Sequence, residues 1–193
     1  MEPVTLSTSR LLLRTVGAQD TGAVYAAAQD PDIQRWTTVP SPYLAEHARS
    51  FTGQFVPDGW ANGSVFTFGV FLPQGELAAM IGLTRHPLNT AEIGFWATKE
   101  HRGHGYTAEA VTAVTRWAFT ELSFDRVEWR AEVGNQASRK VAERTGFTFE
   151  GTLRSAVTNA GTRRDCWVAG LLPSDLSLPS PSPYLPPKSP PGA

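Results

Sequence analysis

The segment His101-Arg102-Gly103-His104-Gly105-Tyr106-Thr107-Ala108-Glu109-Ala110 joins a strand-like run, Ile93-Gly94-Phe95-Trp96-Ala97, to a long amphipathic stretch, and the rest of the chain is organised around that junction. Two glycines two apart let the main chain approach a ligand, and a helix opening just after them leaves its first N–H groups unpaired at a positive dipole end. A diphosphate is the natural occupant. The same Gly-x-Gly also serves as a plain tight turn between strand and helix, so its neighbours must decide. Arg102 adds a forked cation beside the glycines, a second helix opens at Asn135-Gln136-Ala137-Ser138, and Gly146-Phe147 closes it.

The flanking pattern fixes what surrounds the junction. Val65-Phe66-Thr67-Phe68-Gly69-Val70-Phe71 is aromatic and β-branched, Pro73-Gln74-Gly75-Glu76 is a turn, and Leu77 to Leu83 returns, so a hairpin is expected. Ala91 to Trp96 alternates, with Ile93 and Phe95 on one face and Glu92, Gly94 and Trp96 on the other, completing a three-stranded meander. Val111, Val114, Ala118 and Leu122 recur at helical spacing over about 104–121, and Val127, Trp129, Ala131 and Val133 then alternate with charged residues. Strand, helix and strand in that order require a parallel pair with a right-handed crossover. Leu11-Leu12-Leu13 opens the sheet; Phe147-Thr148-Phe149 and Asp165-Cys166-Trp167-Val168 close it. Helices are expected after Asp20, as far as Trp36 beyond Asp30-Pro31, and from Tyr43 to about Phe55 within an otherwise irregular 37–64 region. Tyr43 and Trp60 there are either an aromatic wall for a substrate or ordinary core.

These residues resemble the GNAT acetyltransferase superfamily, and within it the ribosomal-protein N-acetyltransferase branch similar to RimJ and RimL. The resemblance runs from Arg10-Leu11-Leu12-Leu13-Arg14 to Asp165-Cys166-Trp167-Val168-Ala169-Gly170-Leu171, and rests on the loop from Arg102 to Thr107, on Asn135-x-x-Ser138, and on Glu143-Arg144-Thr145-Gly146-Phe147. Thr107 departs from the family's Gly or Ala at that position. The resemblance implies an α/β (α+β) GNAT fold: a central mixed, mostly antiparallel, seven-stranded twisted sheet, splayed between its fourth and fifth strands, with helices on both faces. Residues 1–172 form that domain. Beyond it, 173–193 is a Pro/Ser-rich tail holding eight of the chain's fifteen prolines, without the apolar period to fold.

What the resemblance implies for chemistry is an N-acetyltransferase that takes acetyl-coenzyme A (acetyl-CoA) as co-substrate and acylates a primary amine by direct attack in a ternary complex. Main-chain amides of Arg102, Gly103, His104, Gly105, Tyr106 and Thr107 would hold the diphosphate, and main-chain groups at Trp96 and Ala97 would pair with the pantetheine arm. Glu92 is the candidate base; with an ordinary carboxylate pKa near 4.3 it needs burial or a water chain to serve an amine. Asn135 suits a helix N-cap and also the pantetheine arm. Ser138 is the candidate partner of the departing thiolate, as a hydrogen-bond donor rather than an acid that loses its proton. The acceptor stays open among a protein N-terminus, an aminoglycoside and a metabolite amine, as does a homodimer. A non-catalytic acyl-CoA sensor that keeps the loop is the alternative.

Composition narrows partners further. Seventeen Lys and Arg against eighteen Asp and Glu give a net charge of −1, which supplies no global field for nucleic acid. The single Cys166 excludes an internal disulfide, Met1 to Thr5 lacks a signal-peptide pattern, and no apolar run reaches about twenty residues, so a cytoplasmic chain with no membrane contact is expected. Gly103-His104-Gly105-Tyr106-Thr107-Ala108 also fits a dinucleotide fingerprint, but an antiparallel meander precedes it and Val133-Gly134-Asn135 follows where that motif wants an acidic residue. His101 and His104, three apart with no third ligand nearby, do not predict a metal.

Overall fold

A computed structural model describes residues 1–186. Eight strands form one sheet in the order β1-β2-β3-β4-β5-β6-β8-β7. They are β1 (Leu6–Ser7), β2 (Leu12–Arg14), β3 (Val65–Phe71), β4 (Leu77–His86), β5 (Thr90–Ala97), β6 (Arg126–Glu132), β7 (Thr148–Asn159) and β8 (Thr162–Leu171). The helices are α1 (Thr21–Ala27), α2 (Pro31–Trp36), α3 (Ala45–Ser50), α4 (Val56–Asn62), α5 (Tyr106–Thr120) and α6 (Gln136–Arg144). All strand pairs are antiparallel except β5 with β6, the pair that α5 connects. The expected mixed sheet, meander and crossover are present. The eighth strand is β1, a two-residue piece too short to leave a period in the sequence.

One face of the sheet carries the core. Phe66, Phe68, Ile81, Leu83, Ile93, Val127, Trp129 and Leu171 lie on it, and Val111, Val114 and Ala118 of α5 close over them. Trp60 from α4 stands edge-on to Phe66 and Phe68 at 5.2 Å and packs on Trp117 of α5, and its indole donates to the Thr67 carbonyl at 3.1 Å. Tyr43 is buried with Ala28 and Ala48. Both aromatics of the irregular region are therefore core, because each has a closed apolar pocket.

That region is more helical than expected. A π-helical turn, Phe51–Phe55, joins α3 to α4, so helix runs almost unbroken from Ala45 to Asn62. Pro57 is tolerated in the first turn of α4, and Gly59 is required by contact: a Cβ there would lie 2.7 Å from the Val65 carbonyl oxygen. The closing hairpin, β7 and β8, is also much longer than the two short apolar runs predict, since its outer half is polar and exposed.

The composition change at Pro173 does not mark where packing ends. Pro173–Leu176 forms a 3-10 turn, Leu176 and Leu178 pack on the core, and Ser182 N–H donates to Asp125 at 3.0 Å. A boundary between domain and tail at 172 thus falls inside packed structure: Leu176 and Leu178, between Pro173 and Pro179, are too few to leave a period in the sequence. The rest of the expected tail, 187–193, lies outside the described residues.

Candidate active site

β5 and β6 pair only from Thr90 with Arg126 to Ile93 with Trp129. Beyond that row they diverge. Phe95, Trp96 and Ala97 stay bonded to β4 on their outer side, and Arg130, Ala131 and Glu132 to β8 on theirs, so two inner strand edges face each other unpaired. A cleft of about 710 Å³ opens there, lined by Phe95, Trp96 and Ala97, by the loop from His101 through Arg102, Gly103 and Gly105, by Tyr106, Thr107 and Ala108, by Gly134 and Asn135, and by α6 residues including Ser138, Lys140 and Arg144. The two helix starts singled out in the sequence thus share one cavity.

The loop is held by its surroundings rather than by bonds along its own amides. Gly103 and Gly105 adopt φ of 82° and 78°, the left-handed region in which a side chain is strained. Neither these two N–H groups nor that of His104 has an acceptor among the described residues, and no side chain caps α5. Amides and dipole end are left to a ligand, an arrangement suited to an anion. Arg10 clamps the loop from outside: it donates to the His104 carbonyl at 3.1 Å and to Glu109 of α5 at 2.7 Å. Its guanidinium lies 4.8 Å over the Tyr106 ring, which also stacks on the His104 ring at 5.4 Å and meets the His101 ring edge-on at 6.4 Å. His104 itself points to solvent and does not line the cleft.

Arg102 lines the cleft, but its guanidinium is engaged by Asp30 and Asp32, and its Nε donates to the Ala97 carbonyl. Two carboxylates balance the charge that the sequence offered to a phosphate. Among the lysines and arginines that line the cleft, those without a carboxylate partner among the described residues are Lys140 and Arg144, four apart on α6. Sequence reading missed them, although an i, i+4 pair of bases on a helix already suspected of flanking a ligand was a usable signal.

α2 ties the two arms of the splay together. Its N-terminal Asp30 and Asp32 hold Arg102 after β5, while Arg35 grips Glu132 at the end of β6 with contacts of 2.9 and 2.7 Å. Asn159 adds a bond to each, donating to Glu132 at 3.1 Å and to the Arg35 carbonyl at 2.7 Å. Hydrogen bonding from Arg35 holds the buried Glu132 carboxyl below the usual range against the opposing effect of burial.

Asn135 caps α6: its side chain accepts from the Ser138 N–H at 3.1 Å, as expected. The Ser138 hydroxyl accepts from the indole N–H of Trp129 at 2.9 Å. Glu92 lies on the face of β5 away from α5, opposite Glu128 and one row before the last that the two strands share. It is not in the cleft lining. Burial raises its pKa, while Arg130 at 3.8 Å and His86 at 3.7 Å act to lower it. No hydrogen bond fixes its carboxylate among the described residues. Gly94 beside it is exposed, and a Cβ at Gly82 or Gly94 would meet nothing within 4 Å, so this face of the sheet has an open floor.

The profile of the acetyltransferase (GNAT) domain matches residues 10–148. The chain belongs to the GNAT acetyltransferase family. A putative ribosomal N-acetyltransferase, YdaF, of Bacillus subtilis strain 168 is 40% identical over 105 residues, 52% of this chain and 56% of that one. The ribosomal-protein-serine acetyltransferase of Escherichia coli strain K12 is 36% identical over 85 residues, 43% of this chain and 48% of that one. These two alignments span about half of each relative. Among solved structures, a putative ribosomal-protein-serine acetyltransferase from Vibrio cholerae superposes with a TM-score of 0.78 at 25% identity, covering 90% of this chain and all of that one. GNAT enzymes are acetyl-CoA-dependent N-acetyltransferases, and the cleft has the open amides and inner strand edges that a CoA thioester needs. No group of three His, Cys, Asp or Glu among the described residues is arranged to hold a metal, and no helix among them is long and apolar enough to cross a membrane.

Proposed function

We propose that this GNAT domain acetylates the α-amine of a protein N-terminus in the cytoplasm. Acetyl-CoA lies in the splay, and the acceptor enters over the open floor beside Glu92. The observation that carries the donor half is the shared cleft between the starts of α5 and α6. The acceptor half draws on the ribosomal-protein acetyltransferases to which the chain is similar.

In this reading the amides from Gly103 to Ala108 take the diphosphate, Lys140 and Arg144 face the 3′-phosphate, and the pantetheine arm pairs with the inner edge at Trp96 and Ala97 like an added strand. Main-chain N–H on that edge polarises the thioester carbonyl. The amine nitrogen attacks the carbonyl carbon, an N–C bond forms, and the oxyanion collapses as the C–S bond breaks and its electron pair leaves with sulfur. Glu92, directly or through water, takes the proton the nitrogen sheds; its raised pKa improves the match to that task. Ser138 donates a hydrogen bond to the thiolate, and Asn135 holds the helix end that presents it. Base and thiolate partner thus work from opposite faces of the sheet, with the reacting carbonyl in the gap between them.

Release of free thiol from acetyl-CoA, followed over a panel of N-terminal peptides beginning with Ser or Ala, an aminoglycoside and simple amines, tests the proposal. Turnover confined to peptides is expected. Turnover only with small amines overturns the acceptor assignment, and binding of acetyl-CoA without turnover on any acceptor makes the domain a sensor.

A further inference from the structure

Trp129 sits at the point where the sheet parts, on the last row that β5 and β6 share, and is 2% exposed. Its indole N–H donates to the Ser138 hydroxyl at 2.9 Å. A hydroxyl carries one proton and two acceptor lone pairs. With the indole on a lone pair, the Ser138 proton has no acceptor among the described residues, and Ser138 lines the cleft. The backbone of the same residue is fixed independently, through its N–H to Asn135.

The identity of the donor matters. An indole N–H can only donate, so it forces the serine into the acceptor role on the core side; a second hydroxyl or an amide there could reverse the bond and draw the serine proton inward. A hydroxyl that accepts one hydrogen bond is also polarised into a better donor for the next.

We propose that Trp129 is a positioning residue for acetyl transfer: its indole locks the Ser138 hydroxyl so that the proton points into the cleft, ready for the departing thiolate. This rests on the reading of Ser138 given above. An indole that merely satisfies its own buried N–H is the competing account, and the two differ in what happens when Ser138 is already gone.

The test uses Trp129→Phe, Ser138→Ala and the double variant, with kcat, KM for acetyl-CoA and the melting midpoint measured for each. Trp129→Phe is expected to lower kcat about fivefold to tenfold, the worth of one hydrogen bond, with KM held within about twofold. The double variant should be no slower than Ser138→Ala alone. Wild-type kcat in Trp129→Phe beside a slowed Ser138→Ala overturns the positioning role while leaving that of Ser138 intact, and so do losses that multiply in the double variant. Unchanged kcat in Ser138→Ala removes both. Should Trp129→Phe fail to fold, the indole N–H resonances of the wild-type protein decide: the signal displaced by Ser138→Ala marks Trp129. It is expected to move on adding coenzyme A to the wild type and to stay still in the variant. No displaced signal, or no response to coenzyme A, overturns the proposal.

Discussion

Replacing Gly105 by Ala isolates the conformational demand of the phosphate loop. The residue has φ of 78°, and a Cβ built there meets only Arg10 Nη2, at the ordinary contact distance of 3.7 Å. The penalty is therefore backbone strain, about 1–2 kcal/mol for an alanine in the left-handed region. For a domain of this size each kcal/mol lowers the melting midpoint by about 2–4 °C, so a fall of up to about 2–8 °C is expected if the free protein keeps the strained conformation. The loop amides have no internal partners, so the free loop can relax out of the strained conformation, and coenzyme A must then restore it. Whatever part of the strain the free loop sheds no longer lowers the midpoint and appears as lost affinity instead, up to about 5-fold to 30-fold if all of it is shed. Calorimetric titration with coenzyme A and thermal melting read the two effects. Gly105→Asn, which tolerates left-handed φ, should recover most of both losses. Gly22→Ala in α1, where a Cβ meets nothing within 4 Å, should leave affinity untouched and raise the midpoint slightly. Wild-type affinity and melting in Gly105→Ala, or an asparagine as harmful as the alanine, would refute the reasoning.

Glu92→Gln should slow turnover at least about tenfold while leaving the fold as stable or more stable at pH 7. Burial raises the Glu92 pKa, so its favourable contribution to stability is complete below the ordinary value of 4.5 and is lost as pH rises through the folded one. The stability gain of the variant should therefore vanish on acidification, and a lower midpoint at pH 7 would make the carboxylate structural. Arg35→Ala leaves the buried Glu132 with Asn159 and a distant Arg164; the melting midpoint should fall and coenzyme A binding weaken, because α2 no longer ties the two arms. Unchanged binding in that variant would show that the strap is irrelevant to the cleft. Lys140→Ala with Arg144→Ala should narrow the preference for coenzyme A over its 3′-dephospho form, compared by calorimetry, and an unchanged preference would remove these cations from the site.

Where one period ran long enough, the chain declared its fold. The alternation from Ala91 to Trp96, the helical stripe of Val111, Val114 and Ala118, and the glycines between them define the parallel pair and its crossover, whereas the divergence after Ile93 leaves no period and was implied by the family resemblance alone. Asn135 and Ser138 were legible because a cap has a local signature. Partners distant in sequence were not. Nothing near Arg102 shows that Asp30 and Asp32 occupy its guanidinium, nothing near Glu132 shows Arg35, and Trp129 reads as a core strand residue until Ser138 is seen beside its nitrogen. The helical stretch through Pro57 and Gly59 was hidden for a related reason: residues that break helices locally are excused here by a first-turn position and by contact with Val65.

The structure of the protein with coenzyme A bound tests the account most directly. Diphosphate oxygens within hydrogen-bond distance of the amides between Gly103 and Ala108, with the sulfur beside the Ser138 hydroxyl, is the predicted arrangement. A coenzyme bound elsewhere, or in this cleft with its sulfur remote from the start of α6, would contradict it.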